Sequence, residues 1–429
     1  MVLRKHSTYK NSNIPWLGKI PEHWDISKVK HILSHKKKTL NPGLDCGSIS
    51  FGNVIYKDND RVPIETKATY QELLNGEFLI NPLNLNFDLK SLRTGLSTIN
   101  VVVSTGYIVL QTNEKFNKRY LKWLLHQFDI SYMKTLGSGV RQTLSYTDIK
   151  NCYFPNISKS EQTAIANFLD YKLEKIDRFI TKKKQLIELL NEQKAAIINQ
   201  AVTKGLNPNA KMKPSGIEWL GDIPEQWKTN KIKWLTPVRR GASPRPIDDP
   251  KYFDENGEYA WVRIADVTAS NRYLENTKQQ LSELGASLSV KREPGDIFLS
   301  IAGSVGKPII TKIKCCIHDG FVWFANLNIN KEYLFYIFKG GQAYKGLGKM
   351  GTQLNLNTET VGSIKIPLPS EEEIETIVIY LDKELNKIDK TISTIEEEIA
   401  LVEEYKTALI AEAVTGKIDV RNFEIPLNK

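Results

Sequence analysis

The chain is built twice. IPWLGKIPEHW at 14–24 returns as IEWLGDIPEQW at 217–227, carrying Trp16, Pro21 and Trp24 onto Trp219, Pro224 and Trp227 at an offset of 203. A second match runs from Gly139–Thr203 to Gly351–Thr415 at an offset of 212, pairing Pro155 with Pro367, Leu169 and Asp170 with Leu381 and Asp382, and the AVT of 201–203 with that of 413–415. The offset changes between the two matches, so the second copy carries a net insertion of nine residues there. A repeat of this period dictates the architecture before any single element is assigned. Each copy reads as an aromatic and proline opening, a globular body, then a long helix.

The bodies match poorly although their flanks agree. NGEFLINPLNLN at 75–86 has only a loose counterpart in PGDIFLSIAGSVGK at 294–307, whereas NKRYL at 117–121 resembles NKEYL at 330–334. Two readings stand: a shared scaffold presenting two recognition surfaces, or ordinary loop drift after duplication. β-Branched and aromatic runs bounded by Gly, Pro and Asn predict strands at Phe78–Ile80, Ile99–Val103, Tyr107–Leu110, Ile297–Ile301 and Phe321–Phe324. Short helices are expected at Lys118–Phe128 and Lys331–Phe338, so each body mixes helix and strand.

Residues 158–203 and 370–415 contain neither Pro nor Gly and space their apolar residues alternately by three and four. The second helix places Leu385, Ile388, Ile392, Ile395, Ile399, Val402, Lys406, Leu409 and Ala413 on one seam. The first repeats it with Leu173, Ile176, Ile180, Lys183, Ile187, Leu190, Lys194, Ile197 and Ala201. Lys194 and Lys406 interrupt both seams at the same place, either fixing register or snorkelling where the seam frays. The first helix carries a net +2 and the second a net −9, so they prefer each other as partners. An intramolecular antiparallel coiled coil with a pseudo-twofold axis follows, each helix about 70 Å long at roughly 1.5 Å per residue.

Of the total net charge of +10, the rest of the chain carries +17. Such an excess, on bodies bearing Arg61, Arg93, Arg141, Arg239, Arg240, Arg245, Arg263, Arg272, Arg292 and Lys307, points to a polyanion such as a nucleic acid, although basic surfaces are also common without such a role. No apolar stretch approaches the roughly 20 residues of a membrane span, and no exported leader is evident, so a soluble cytoplasmic protein without a membrane partner is expected. Cys46, Cys152, Cys315 and Cys316 form no CxxC pair and read as reduced thiols.

Catalytic motifs are hard to find. Ile80-Asn81-Pro82-Leu83 departs from the Asn-Pro-Pro-aromatic loop of DNA amino-methyltransferases by lacking the second proline and the aromatic, and no glycine-rich S-adenosylmethionine turn accompanies it. GSVGK at 303–307 lacks the earlier glycine and final hydroxyl of a phosphate loop. Asp58, Asp60, Glu65 and Lys67 imitate a nuclease cluster only loosely, and His31 and His35 stand beside three lysines with no third metal ligand.

The doubled WLG-x-IPE-x-W motif, the doubled proline-x-x-S-x-x-E entry into a heptad helix, and the AVTKG and AVTGK helix ends resemble the specificity subunit of type I restriction-modification systems. The resemblance covers nearly the whole chain. It implies an α+β protein of two mixed target-recognition domains separated by two long helices in an antiparallel coiled coil. The boundaries expected are domain one at 1–157, a central spacer helix at 158–204, domain two at 205–369, a C-terminal spacer helix at 370–416 and a tail at 417–429. It further implies a non-catalytic chain that reads a bipartite DNA sequence, sets the gap between half-sites through its helices, and assembles with two modification and two restriction subunits. No cofactor or metal is implied for this chain; S-adenosylmethionine, ATP and Mg2+ belong to the partner subunits. The alternatives are a self-contained DNA methyltransferase or nuclease, and a coiled-coil scaffold that binds no DNA.

Base edges would be read by Arg, Gln and Asn, with other cations on phosphates. The expected DNA contacts are the matched loops before a short helix in each copy, Arg141, Gln142 and Thr143 in one and Gln353 and Asn355 in the other. Arg61, Arg93, Arg245, Arg263 and Lys307 complete the set. Ser145 and Asn357 are the N-caps that would follow those loops.

Overall fold

The structure, a computed structural model, describes residues 4–83, 92–136, 143–344, 347 and 356–425. It divides into two compact units, Met1–Lys183 with Glu397–Lys429, and Lys184–Glu396. The two long helices, Lys159–Lys204 and Glu371–Val414, each contribute one half to either unit.

In the first unit, a four-stranded antiparallel sheet orders Leu33–His35, Ile108–Thr112, Phe78–Ile80 and Thr94–Leu96. Val101–Val103 pairs instead with Gln71–Leu73, and the hairpin Gly47–Ser50 and Asn53–Tyr56 stands beside them. The strand begins at Val101 rather than at Ile99 because Ser97 Oγ donates to the Ile99 carbonyl at 2.6 Å and closes a turn there. The helix Lys118–Ser131 is capped by Asn117, whose side chain accepts from the amides of Arg119 and Tyr120, and it buries Tyr120, Leu121, Leu124 and Phe128.

The second unit carries more sheet. Five strands run in the order Val238–Arg240, Phe321–Phe324, Ile297–Ser300, Pro308–Thr311 and Tyr273–Leu274, the last pairing parallel. A second sheet of four strands joins Tyr259–Val262 in parallel to Cys315–Ile317. Cys315 and Cys316 are fully buried, and burial pushes both thiols up to about 12, so they are inert packing groups. The helix Lys331–Lys339, capped by Asn330, is the counterpart of Lys118–Ser131 and buries six consecutive residues from Tyr333 to Phe338.

The doubled motifs have a common structural purpose. Trp24 Nε1 donates to Glu161 Oε1 at 2.9 Å, and Trp227 Nε1 donates to Glu373 Oε2 at 2.8 Å. Both indoles are almost wholly buried, so each needs such an acceptor. Each tryptophan also meets the glycine that ends the other long helix: Trp24 meets Gly416 and Trp227 meets Gly205. Both glycines have φ +71°, and a β-carbon on Gly416 would lie 2.5 Å from Pro21 Cδ. The WLG-x-IPE-x-W segment is therefore the clasp that fastens a body to the start of one helix and the end of the other. Asp170 and Asp382, paired by the repeat, add a second fastening. Asp170 accepts from Arg119 Nη1 and Trp123 Nε1, and Asp382 accepts from Arg272 Nη1 and Tyr336 Oη.

The helices run antiparallel in both units. In the first, Lys183 pairs with Glu398 at 2.6 Å and Asp177 with Lys406 at 2.5 Å; in the second, Lys194 pairs with Asp389 while Gly205 approaches Glu373. Leu173, Ile180, Leu385, Ile395 and Ile399 are buried on the seam, with Ile176, Ile187, Leu190, Ile388 and Ile392 half-buried. Lys194–Asp389 and Lys406–Asp177 are the same pair under the repeat. Half-exposed pairs of this kind are worth at most about 1 kcal/mol each. Their value is register, since sliding either helix by one heptad would part both lysines from their acids.

His126 sits against this junction with its pKa lowered to about 4, by burial first and then by the charges of Lys406 and Lys122. The unfolded chain therefore binds a proton that the folded chain does not between pH 6.5 and about 4, and stability falls as pH drops through that window. The slope from this one group is at most about 1.4 kcal/mol per pH unit. Thermal unfolding of His126→Gln followed from pH 7 to pH 4.5 should show a shallower decline than the native chain; an unchanged slope would assign the decline to other groups.

Candidate nucleic-acid interface

The second body concentrates exposed cations on one strand and the loop that leaves it. Arg239 and Arg240 end the strand Val238–Arg240, opposite Trp323 and Val322. Gly241 then passes so close to the loop between Cys315–Ile317 and Phe321–Phe324 that a β-carbon there would lie 2.1 Å from the His318 carbonyl oxygen. That close approach brings the loop after Arg240 onto Asp319. Its backbone carbonyl accepts from Arg240 Nε at 2.6 Å, and its carboxylate accepts from Ser243 Oγ at 3.2 Å and Arg245 Nη2 at 3.0 Å. Burial opposes ionisation of Asp319, but the Ser243 hydrogen bond and the charges of Arg245, His318 and Arg240 outweigh it and hold the carboxyl below its ordinary range. Arg245 remains 71% exposed at its side chain, a guanidinium aimed from a fixed anchor into solvent.

Two clefts open in this body, one on each of its sheets. One, of about 610 Å³, is lined by Arg239, Arg292, Asp296, Trp323, Asn326 and Lys331. Its floor is Trp323, with the Arg292 guanidinium 3.7 Å and the Arg239 guanidinium 5.8 Å from the ring centroid. The other, of about 870 Å³, is lined by Trp261, Arg263, Lys278, Gln279, Gln280 and Asp254 among others. Arg263 is exposed there, and its backbone amide donates to Asp266 Oδ2 at 2.9 Å, starting the helix Ile264–Ala269. Lys307 donates instead to the Thr268 carbonyl at 2.8 Å, and burial lowers its pKa.

The first body is arranged differently. Arg93 is almost wholly inside: its Nε donates to Asp129 Oδ1 at 3.0 Å, with the two side chains 5% and 0% exposed. Thr143 is exposed and bridges to Leu83 across the Asn81-Pro82 turn. Arg61 closes the short turn Asn59–Arg61. At the tip of the hairpin Gly47–Tyr56, Phe51 is 74% exposed, with Tyr56 also outside. Arg141, Gln142, Gln353 and Asn355 lie outside the described residues. The helices after their loops are described: Asn357 caps Thr358–Ser363 by accepting from the amides of Glu359 and Thr360, and Ser145 precedes Tyr146–Lys150 with its amide and hydroxyl on Asp148.

Sequence reading missed Asp319 and Trp323. Neither stands at a spacing that announces a partner, and each meets its arginines only through contacts between segments about 30 to 80 residues apart. No helix among the described residues is long and apolar enough to cross a membrane.

Residues 224–403 match the family model of the type I restriction modification DNA specificity domain. The chain is 24% identical over 444 residues to the type I restriction enzyme MjaVIII specificity subunit of Methanocaldococcus jannaschii, covering 96% of this chain and 98% of that one. The matched family segment lies in the second copy, and the first copy repeats its clasp and its helix. Over nearly its whole length the chain is similar to type I restriction enzyme specificity subunits. Among them, the type I restriction enzyme EcoBI specificity subunit of Escherichia coli is 23% identical over 326 residues, 71% of this chain and 66% of that one. The fold of this chain also appears in a chain from the structure described as "Structural basis underlying complex assembly and conformational transition of the type I R-M system". That chain gives a TM-score of 0.70 at 16% identity, covering 93% of this chain and 99% of its own. The two mixed bodies and the paired helices are thus a fold that this chain shares with that one.

Proposed function

We propose that this chain supplies DNA sequence specificity to a type I restriction-modification complex, each body reading one half of an asymmetric bipartite site while the paired helices set the spacing and dock the modification subunits. One observation carries the reading: the Trp–Glu clasps and the lysine–aspartate helix pairs occur twice at repeat-related positions, whereas the bodies they hold present different surfaces. A scaffold repeated around unlike surfaces is what reading two unlike half-sites requires. The chain itself is non-catalytic and cytoplasmic. Two modification subunits methylate adenine N6 with S-adenosylmethionine, and two restriction subunits use ATP and Mg2+.

In the second body, Arg245, Arg263, Arg239 and Lys307 contact DNA, with Gln353 and Asn355 on the matched loop. In the first, Arg141, Gln142, Thr143 and Arg61 do so. Arg245, oriented by Asp319, has the fixed fork that suits the O6 and N7 edge of guanine. Fluorescence anisotropy of duplex DNA with the chain and its modification subunit tests this. Arg245→Ala should cost about 1–3 kcal/mol, roughly tenfold to a hundredfold, and relax selectivity at one position of the second half-site. A uniform loss with a salt slope lower by about 1 would instead place it on a phosphate. Unchanged affinity would remove Arg245 from the interface.

A further inference from the structure

We infer that His6, His23 and Glu161 form a binding site for a zinc-type divalent ion that fastens the N-terminal segment to the start of the first long helix. Their ligand atoms lie within 4.8 Å of one another. His23 Nε2 is 3.2 Å from Glu161 Oε2. Zinc holds nitrogen and oxygen ligands at about 2.0–2.2 Å, so donors around one ion stand roughly 3–4 Å apart, and small side-chain rotations close the remainder. Glu161 is 6% exposed, and Trp24 Nε1 donates to its Oε1 at 2.9 Å, fixing the carboxylate as outer partners fix metal ligands.

His6 supplies an independent observation. Its side chain is 4% exposed, and its buried Nδ1 has no hydrogen-bond partner among the described residues. Asp419 Oδ2 lies 3.8 Å away, but Arg421 Nε and Nη2 grip that carboxylate at 2.9 and 2.7 Å. A buried ring nitrogen without a partner is costly, and a cation answers that cost. Burial also favours the neutral ring that ligation requires. His23, 44% exposed at its side chain, leaves an entry path from solvent, and water takes the fourth position.

The second copy shows that the clasp itself does not need histidine. Trp227 donates to Glu373 as Trp24 does to Glu161, yet at the offset of 203 Asn209 and Gln226 stand where the first copy has His6 and His23. The first copy alone sets two imidazoles around a carboxylate that the tryptophan already engages.

Metal-stripped full-length chain titrated with ZnCl2 in a calorimeter at pH 7.5 tests the site. Substitution of cobalt gives its visible absorption as a second readout. The native chain should take up one equivalent, His23→Gln should weaken uptake at least about tenfold, and His6→Asn with His23→Gln should abolish it. These substitutions install what the second copy carries, so the clasp has a precedent for folding with them, and circular dichroism confirms it. Failure of the native chain to bind one equivalent, or equal binding by the double variant, would overturn the site. Neither result bears on DNA recognition.

Discussion

Replacing residues 25–150 with the corresponding body of a similar specificity subunit should exchange one half of the methylated sequence and leave the other half unchanged. The replaced segment starts just after Trp24 and ends before Lys159, so it leaves the Trp24–Glu161 clasp and the paired helices intact. The transplanted body inherits the Tyr153–Asn156 strand, which pairs with Asp25–Lys28 through main-chain hydrogen bonds and tolerates varied side chains. Specific sites are typically bound a thousandfold or more above non-specific DNA, so the change of half-site is large and is read directly from methylation of an oligonucleotide panel. If both halves changed together, the bodies would not be independent readers.

Arg93→Ala should destabilise the first unit by about 3–5 kcal/mol, the cost of leaving a buried carboxylate without its partner. Asp129 has no exposed surface and also accepts the Arg93 amide at 2.6 Å, so it cannot turn to water. In calorimetry the loss corresponds to a drop in Tm on the order of 10 °C for a unit of this size. Replacing both residues, Arg93→Met with Asp129→Leu, should recover part of it. A loss under about 1 kcal/mol for the single variant would mean the pair is solvated. Any weakening of DNA binding by Arg93→Ala then tracks unfolding.

What the sequence makes legible depends on the range of the interaction. The heptad seam from Leu173 to Ala201 and its repeat from Leu385 to Ala413 are readable because helical periodicity is local, and the charge imbalance between them is additive. The N-caps Asn357 and Ser145 are readable for the same reason. The clasp shows only as an unexplained identity of tryptophans; that Trp24 seeks Glu161 and Gly416 emerges from contacts across more than a hundred residues. Arg93 and Arg245 look alike in a list of cations. One is buried against Asp129 of the helix Lys118–Ser131 and the other is held outward by Asp319, through contacts between distant segments that no single-residue pattern reveals.

The central claim, that the bodies read separate halves of a DNA site for a methyltransferase, is tested most directly by mapping N6-methyladenine at single-base resolution in DNA exposed to this chain and its modification subunit with S-adenosylmethionine. The expected result is one asymmetric bipartite motif with a fixed spacer, and no methylation from the chain alone. Methylation by the isolated chain, or by the modification subunit with the same pattern whether or not this chain is present, would contradict the claim.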